Sequence, residues 1–223
     1  MHEVPSTELD AGAEFDRQVR GLVEAGFPSA AGLGEAEFRA LVTPLREQAV
    51  ALGARECDPA AGRVPFVLVL TREVVAVEEA MRLTVLRGGR EPGFVDRSFE
   101  PGSLERFTAT KEVRLPGDPK AYLLVGVERG EEFCGVVPQE ALDAIAARGR
   151  TALTIEEGIA LLALFPQVLV KNKCFSLGGS RCGDRRVPAI WISRRAPKLG
   201  WCWVGNPHTW LGMASAAGRR AAG

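Results

Sequence analysis

Apolar residues near the start of the chain recur every three to four positions, whereas those near its end fall in short runs bounded by glycine, proline and charge. A chain that changes period in this way has to combine helices with sheet. Phe15, Val19, Leu22 and Val23 mark an amphipathic helix over about 13–25, stopped by Gly26 and Pro28. Phe38, Leu41, Val42, Leu45, Ala49 and Leu52 share one face of a second helical stretch that begins near Glu35. Pro44 either kinks that stretch or starts a further helix at its first turn, and the two stretches should pack as a hairpin. Residues 55–63, with Asp58, Pro59 and Gly62, read as a loop leading into a β-rich apolar run at 64–71, expected as a central strand.

Residues 76–83 are helical in pattern, after which Gly88, Gly89, Pro92 and Gly93 open a polar, proline-punctuated segment to Pro119, with room for short strands whose positions the pattern does not fix. A second strand follows at 121–127, and Pro138 opens a helix to about Arg148. Thr154 and Glu157 form a T-x-x-E capping box for a helix over 155–165, closed by Pro166. Residues 174–178, 187–193 and 199–204 read as three strands of a meander. The fold class expected is therefore α+β, with an N-terminal helical hairpin, central strands with helices and a C-terminal antiparallel β-meander. A length of 223 residues suits one sizeable core. The expected organisation is one α+β domain: a helical part at 1–54, a central part at 64–170, a basic tryptophan-rich meander at 171–212 and a mobile tail at 213–223.

The longest apolar runs, 64–70 and 159–165, fall short of the roughly 18 residues a membrane span needs. His2, Glu3 and Glu8 stand where a secretory signal would place basic and then apolar residues, so the expectation is a cytoplasmic protein. Cys57, Cys134, Cys174, Cys182 and Cys202 are odd in number and irregular in spacing, with no C-x-x-C pair, which describes reduced thiols rather than a disulfide framework. A net charge of zero hides a segregation. From residue 171 to the end, ten Lys and Arg face one acid, a net of +9 that leaves −9 for residues 1–170. Such asymmetry suits either an anionic partner or docking between the two parts.

The basic segment also holds all four tryptophans (Trp191, Trp201, Trp203, Trp210) and His208, the only histidine away from the amino terminus. Three chemistries could use it. Cys134, Cys174, Cys202 and His208 would make a Cys3His set suited to zinc, the one cofactor expected. Cys174 or Cys202 could instead serve as a nucleophile activated by His208 and oriented by Asn206 or Asp184. Third, the run from Lys171 to Arg186 mixes glycines with lysines and arginines able to fork a carboxylate or phosphate, although it lacks the G-K-[ST] ending of a phosphate-binding loop. A simple hairpin turn explains those glycines equally well. Nucleic-acid binding would use the same surface, but overall neutrality counts against it. The adjacent acids Glu131/Glu132 and Glu156/Glu157 point in different directions and read as structural.

Several motifs together resemble a known family: Gly130-Glu-Glu-Phe-Cys134, Leu153-Thr-Ile-Glu-Glu-Gly158, Lys171-Asn-Lys-Cys-Phe-Ser-Leu177, Gly183-Asp-Arg-Arg-Val-Pro-Ala189, Pro197-Lys-Leu-Gly-Trp-Cys-Trp203 and Gly205-Asn-Pro-His-Thr-Trp-Leu-Gly212. The family comprises uncharacterised proteins of high-GC bacteria, catalogued as a domain of unknown function. The likeness spans nearly the whole chain, including 15–28 and 65–70, and implies no substrate, cofactor or catalytic residue. The leading expectation is thus a small anionic ligand held at the meander by Lys173, Arg181, Arg185, Arg186 and Lys198. Asn206 and His208 would add directional hydrogen bonds, and the tryptophans an apolar wall. A zinc or thiol enzyme centred on Cys174, Cys202 and His208, or a protein partner docked on the tryptophans, are the alternatives.

Overall fold

The computed structural model describes residues 8–53, 55–117 and 119–222. His2 and Glu3, read above for a secretory signal, lie outside the described residues. Among the described residues the seven α-helices are α1 (Ala11–Glu24), α2 (Phe27–Ala30), α3 (Glu35–Val42), α4 (Leu45–Val50), α5 (Val77–Arg82), α6 (Pro138–Ala147) and α7 (Ile155–Leu164). The strands before residue 150 are β1 (Glu8–Leu9), β2 (Arg55–Glu56), β3 (Arg63–Leu70), β4 (Phe94–Val95), β5 (Thr108–Ala109) and β6 (Ala121–Glu128). Those after it are β7 (Thr151–Ala152), β8 (Cys174–Ser176), β9 (Ser180–Arg181), β10 (Arg186–Ser193), β11 (Ala196–Trp203), β12 (Leu211–Met213) and β13 (Ser215–Arg220). The fold is α+β with mostly antiparallel pairing. Among the described residues no helix is long and apolar enough to cross a membrane.

Asp10 caps α1, its Oδ1 accepting from Ala13 N at 2.8 Å, and α1 packs against α3 and α4 as the expected hairpin. The second stretch is two helices, not one. Pro44 has no N–H to donate and stands immediately before α4, so it starts a helix where a continuous one would lose a hydrogen bond.

One sheet runs in the order β3-β6-β13-β7, every pair antiparallel. The strand expected to be central, β3, is at its edge, yet seven of its eight residues are buried. Helix α1 closes that edge through Gln18, which is wholly buried. Its Nε2 donates to Phe66 O at 3.0 Å and its Oε1 accepts from Leu68 N at 2.8 Å, so one side chain stands in for a neighbouring strand. Pro65 fits this strand because the β3–β6 ladder skips it. Its partner position is Gly126 (φ +62), whose carbonyl turns away to accept from Arg150 Nη2 at 2.7 Å.

The carboxyl-terminal residues expected to form a mobile tail are β13, seated between β6 and β7. Ala214 and Ala216 are fully buried there. The segment has only small side chains and two arginines, so its strand character comes from two waiting neighbours and not from its own β propensity.

The second sheet runs β12-β8-β10-β11-β4. Strands β8, β10 and β11 make the expected antiparallel meander, while β12 and β4 add parallel edges. The short strands that the segment after Gly88 has room for are β4 and β5. Helix α7 touches both β3 and β10, and eight of its ten residues are buried, as a helix between two sheets requires. A smaller apolar cluster of Phe133, Ala141, Ile145, Ala152, Val187 and Met213 fixes α6 to the second sheet.

Candidate functional site

The tryptophans do not form one wall. Trp201 and Trp203 meet edge to face with centroids 4.7 Å apart, on the side of the β10–β11 hairpin that carries Arg186. Trp191 lies on the opposite side, over Gly200, where a Cβ would come within 2.1 Å of its ring, and it meets Trp210 at 6.1 Å. Strand alternation imposes this split, because residues 200 and 201 must face opposite ways.

The cations are divided in the same way, and three of them are already neutralised. Arg186 binds Asp184 Oδ2 at 2.7 Å and stacks over Trp201 and Phe107, at 5.6 and 5.3 Å from the ring centres. Lys198 pairs with Asp96 and lies 5.0 Å above Trp191, on the other face. Burial alone would raise the Asp96 carboxyl, but hydrogen bonds from Lys198 and Ser98 outweigh it and hold it at about 2. Lys173 sits beyond the start of β8, bound to Glu131 Oε1 at 2.8 Å. Arg185 and Asn206 are exposed, and Asn206 N donates to Trp203 O at 3.0 Å. His208 stacks against Trp210 at 5.3 Å and, with Asn206, borders a gap of about 10 Å³, space for no more than one water. The seven residues expected to share a ligand therefore lie on several surfaces.

Zinc ligation fares no better. Cys174 and Cys202 lie on strands flanking β10, two strand spacings and four residues apart in register, or about 16 Å. Among the described residues no group of three His, Cys, Asp or Glu could hold a metal ion, so Cys134, Cys174, Cys202 and His208 do not assemble. The thiols are also poor nucleophiles. Burial pushes Cys202 up to about 11, burial and then Glu14 push Cys57 up to about 11, and burial raises Cys134 and Cys174. The Cys174 thiol donates to Val170 O at 3.7 Å.

What sequence reasoning missed lies around the start of α7. The expected capping box is present, Glu157 N donating to Thr154 Oγ1 at 3.3 Å and Thr154 N to Glu157 Oε2 at 2.8 Å. The same carboxylate, fully buried, also accepts from Tyr122 OH at 2.8 Å and from Arg219 Nε and Nη2 at 2.5 and 2.8 Å. Arg219 Nη1 continues to Thr151 Oγ1 at 2.6 Å. Burial, reinforced by the Glu157 charge, pushes the Tyr122 hydroxyl well above its ordinary value. Two signals for this cluster were present, the capping box and the chain's only tyrosine. Its third member, Arg219, was hidden in a segment with no strand signature.

A strap lies beside the start of α7, where Ser180 Oγ accepts from Ile155 N at 3.0 Å. Thr108 and Ala109 of β5 pair with Arg181 and Ser180 of β9, and Thr110 N donates to Gly179 O at 2.9 Å. On one side of the strap is a cleft of about 280 Å³, bordered by Thr110, Glu112, Gln139, Asp143, Arg150, Thr151 and Arg181. On the other is a cleft of about 230 Å³, bordered by Arg72, Glu73, Glu105, Tyr122, Thr154 and Glu156, in which Arg72 pairs with Glu156. Gly178 and Gly179 form part of the floor of the first cleft. A Cβ on Gly179 would lie 2.4 Å from Ala152 O, and one on Gly178 2.7 Å from Leu142, so close packing accounts for both glycines. Arg150 is occupied by Gly126 O, Ser215 and Glu128. Arg181 is not. Its Nη2 donates to Asp184 O at 2.9 Å, its Nε is buried without a partner, and among the described residues no carboxylate pairs with it.

Comparison with known proteins gives a family and no activity. No curated protein and no solved structure matches the chain. A family model described as "Family of unknown function (DUF5701)" matches residues 21–222.

Proposed function

The chain belongs to the DUF5701 family of unknown function, and from that premise we propose that the protein binds a small anionic molecule in the 280 Å³ cleft, with Arg181 as the anchor for the anion. One observation carries this reading. Of the basic residues expected to hold an anion, Arg181 borders this cleft and pairs with no carboxylate among the described residues, whereas Lys173, Arg186 and Lys198 are each paired. A guanidinium with unused N–H groups beside a concave surface gains strong charge-assisted bonds when a carboxylate or phosphate arrives. Thr110 and Thr151 add hydroxyls at the same surface. Five free cysteines suit a reducing compartment, so the same reading places the protein in the cytoplasm.

The test is a thermal-shift and calorimetric panel of small carboxylates and phosphate on the wild type and on Arg181→Gln. The expected result is binding by at least one anion that is weakened tenfold or more in the variant. Equal binding by both proteins, or a panel that leaves the wild type unmoved, would overturn the assignment. A second reading rests on Trp203, which is 45% exposed beside Trp201 and would anchor a protein partner. Trp203→Ala should then abolish capture of that partner and leave anion binding intact.

A further inference from the structure

We infer that the ligand of the 280 Å³ cleft is a small zwitterion carrying an ammonium group as well as an anionic one, an inference that rests on the anion-binding reading of that cleft. The walls carry opposite charges. Arg181 and Arg150 border the cleft together with Glu112 from the turn after β5 and Asp143 from α6. Among the described residues neither acid has a buried cationic partner. Asp143 accepts from Gln139 Nε2 at 3.0 Å, a neutral donor. Glu112 has only Lys111, 3.9 Å away on a side chain that is 93% exposed. The Glu112 carboxyl is held below its ordinary value by its own backbone N–H and the Thr110 hydroxyl, so it is charged at neutral pH.

A ligand seated on Arg181 shares the cleft with both carboxylates. A simple dianion placed there gains from the arginine and is repelled by the acids. An ammonium group on the same molecule converts that repulsion into attraction, and Gln139, Thr110 and Thr151 can accept its remaining protons. The volume, about 280 Å³, lies at the low end of small-molecule sites and fits a molecule the size of an amino acid.

The experiment titrates the full chain by calorimetry with matched pairs that differ only in the amine: glutamate with glutarate, 4-aminobutyrate with butyrate, and alanine with propionate. The proteins are the wild type, Arg181→Gln and the double variant Glu112→Gln/Asp143→Asn. Both acids are exposed, so the double variant should fold, and its urea midpoint checks that it does. The expected result is that at least one amino compound binds tenfold or more tightly than its partner, that the double variant erases this preference while still binding the carboxylate, and that Arg181→Gln loses both. Carboxylates that bind the wild type equally with and without the amine would overturn the zwitterion inference and leave the anion reading standing. Failure of every compound to bind would bring down both.

Discussion

Removal of the Arg219 guanidinium by Arg219→Met tests whether β13 is tied to α7 by a buried charge pair. In the wild type the Glu157 carboxylate takes four bonds, two from Arg219, one from Tyr122 OH and one from Thr154 N. The two side chains are 3% and 0% exposed, so solvent cannot replace what is lost. The variant leaves a buried carboxylate with two of its four donors and takes a partner from Thr151. Breaking a buried pair from one side costs about 3–5 kcal/mol, a large share of the roughly 5–15 kcal/mol that holds a domain together. For a chain of this length that corresponds to a drop in Tm of about 6–20 °C. Urea titration followed by circular dichroism gives the free energy directly. The double variant Arg219→Met/Glu157→Leu removes both charges, and should cost about 1–3 kcal/mol less than the two single variants added together. A loss below about 1 kcal/mol for Arg219→Met, or strict additivity in the cycle, would refute the reasoning.

Gln18→Leu should destabilise by about 2–4 kcal/mol, because it strands Phe66 O and Leu68 N on a buried edge, and an unchanged thermal midpoint would contradict this. The Asp96 carboxyl is depressed in the folded protein to about 2, so its contribution is complete above the free-aspartate value near 4 and vanishes as pH falls from there through about 2. Urea midpoints between pH 5 and 2 should therefore fall more steeply in the wild type than in Asp96→Asn. With burial holding Cys202 at about 11, its alkylation by iodoacetamide at pH 7.5 should be far slower in the native protein than in urea, and equal rates would show that the thiol is not shielded.

How much of this was legible depended on whether the signal was local. Helix α7 announces itself through Thr154 and Glu157, which bond each other three residues apart and need nothing else in the chain. The meander could be read from spacing, and so could the opposed faces of Trp201 and Cys202. The position of β3 could not. Seven buried residues look alike whether the covering neighbour is a strand or the side chain of Gln18, 48 residues away from the carbonyl it bonds. The role of β13 was hidden for a related reason, since Ser-Ala-Ala-Gly carries no preference that a neighbouring strand does not impose. For the candidate site, sequence offered five basic side chains with no means of telling which the fold would leave without a carboxylate. Arg186 and Lys198 are spoken for by Asp184 and Asp96, and no spacing rule reveals which acids will arrive beside which bases. The strap comes from the stretch after residue 104, where the two-residue strand β5 pairs with β9 some seventy residues distant.

The seat of β13 between β6 and β7 also orders events during synthesis. Strands β3 and β6 can pair as soon as residue 128 is free, but the face of β6 that awaits β13 stays unpaired until residue 220 has been made. Through that interval a nascent chain carries an open, largely apolar strand edge of the kind other chains pair with. Ribosome-bound chains halted before β13 should accordingly be the ones a chaperone holds, and release of the finished carboxyl-terminal strand the event that lets them go.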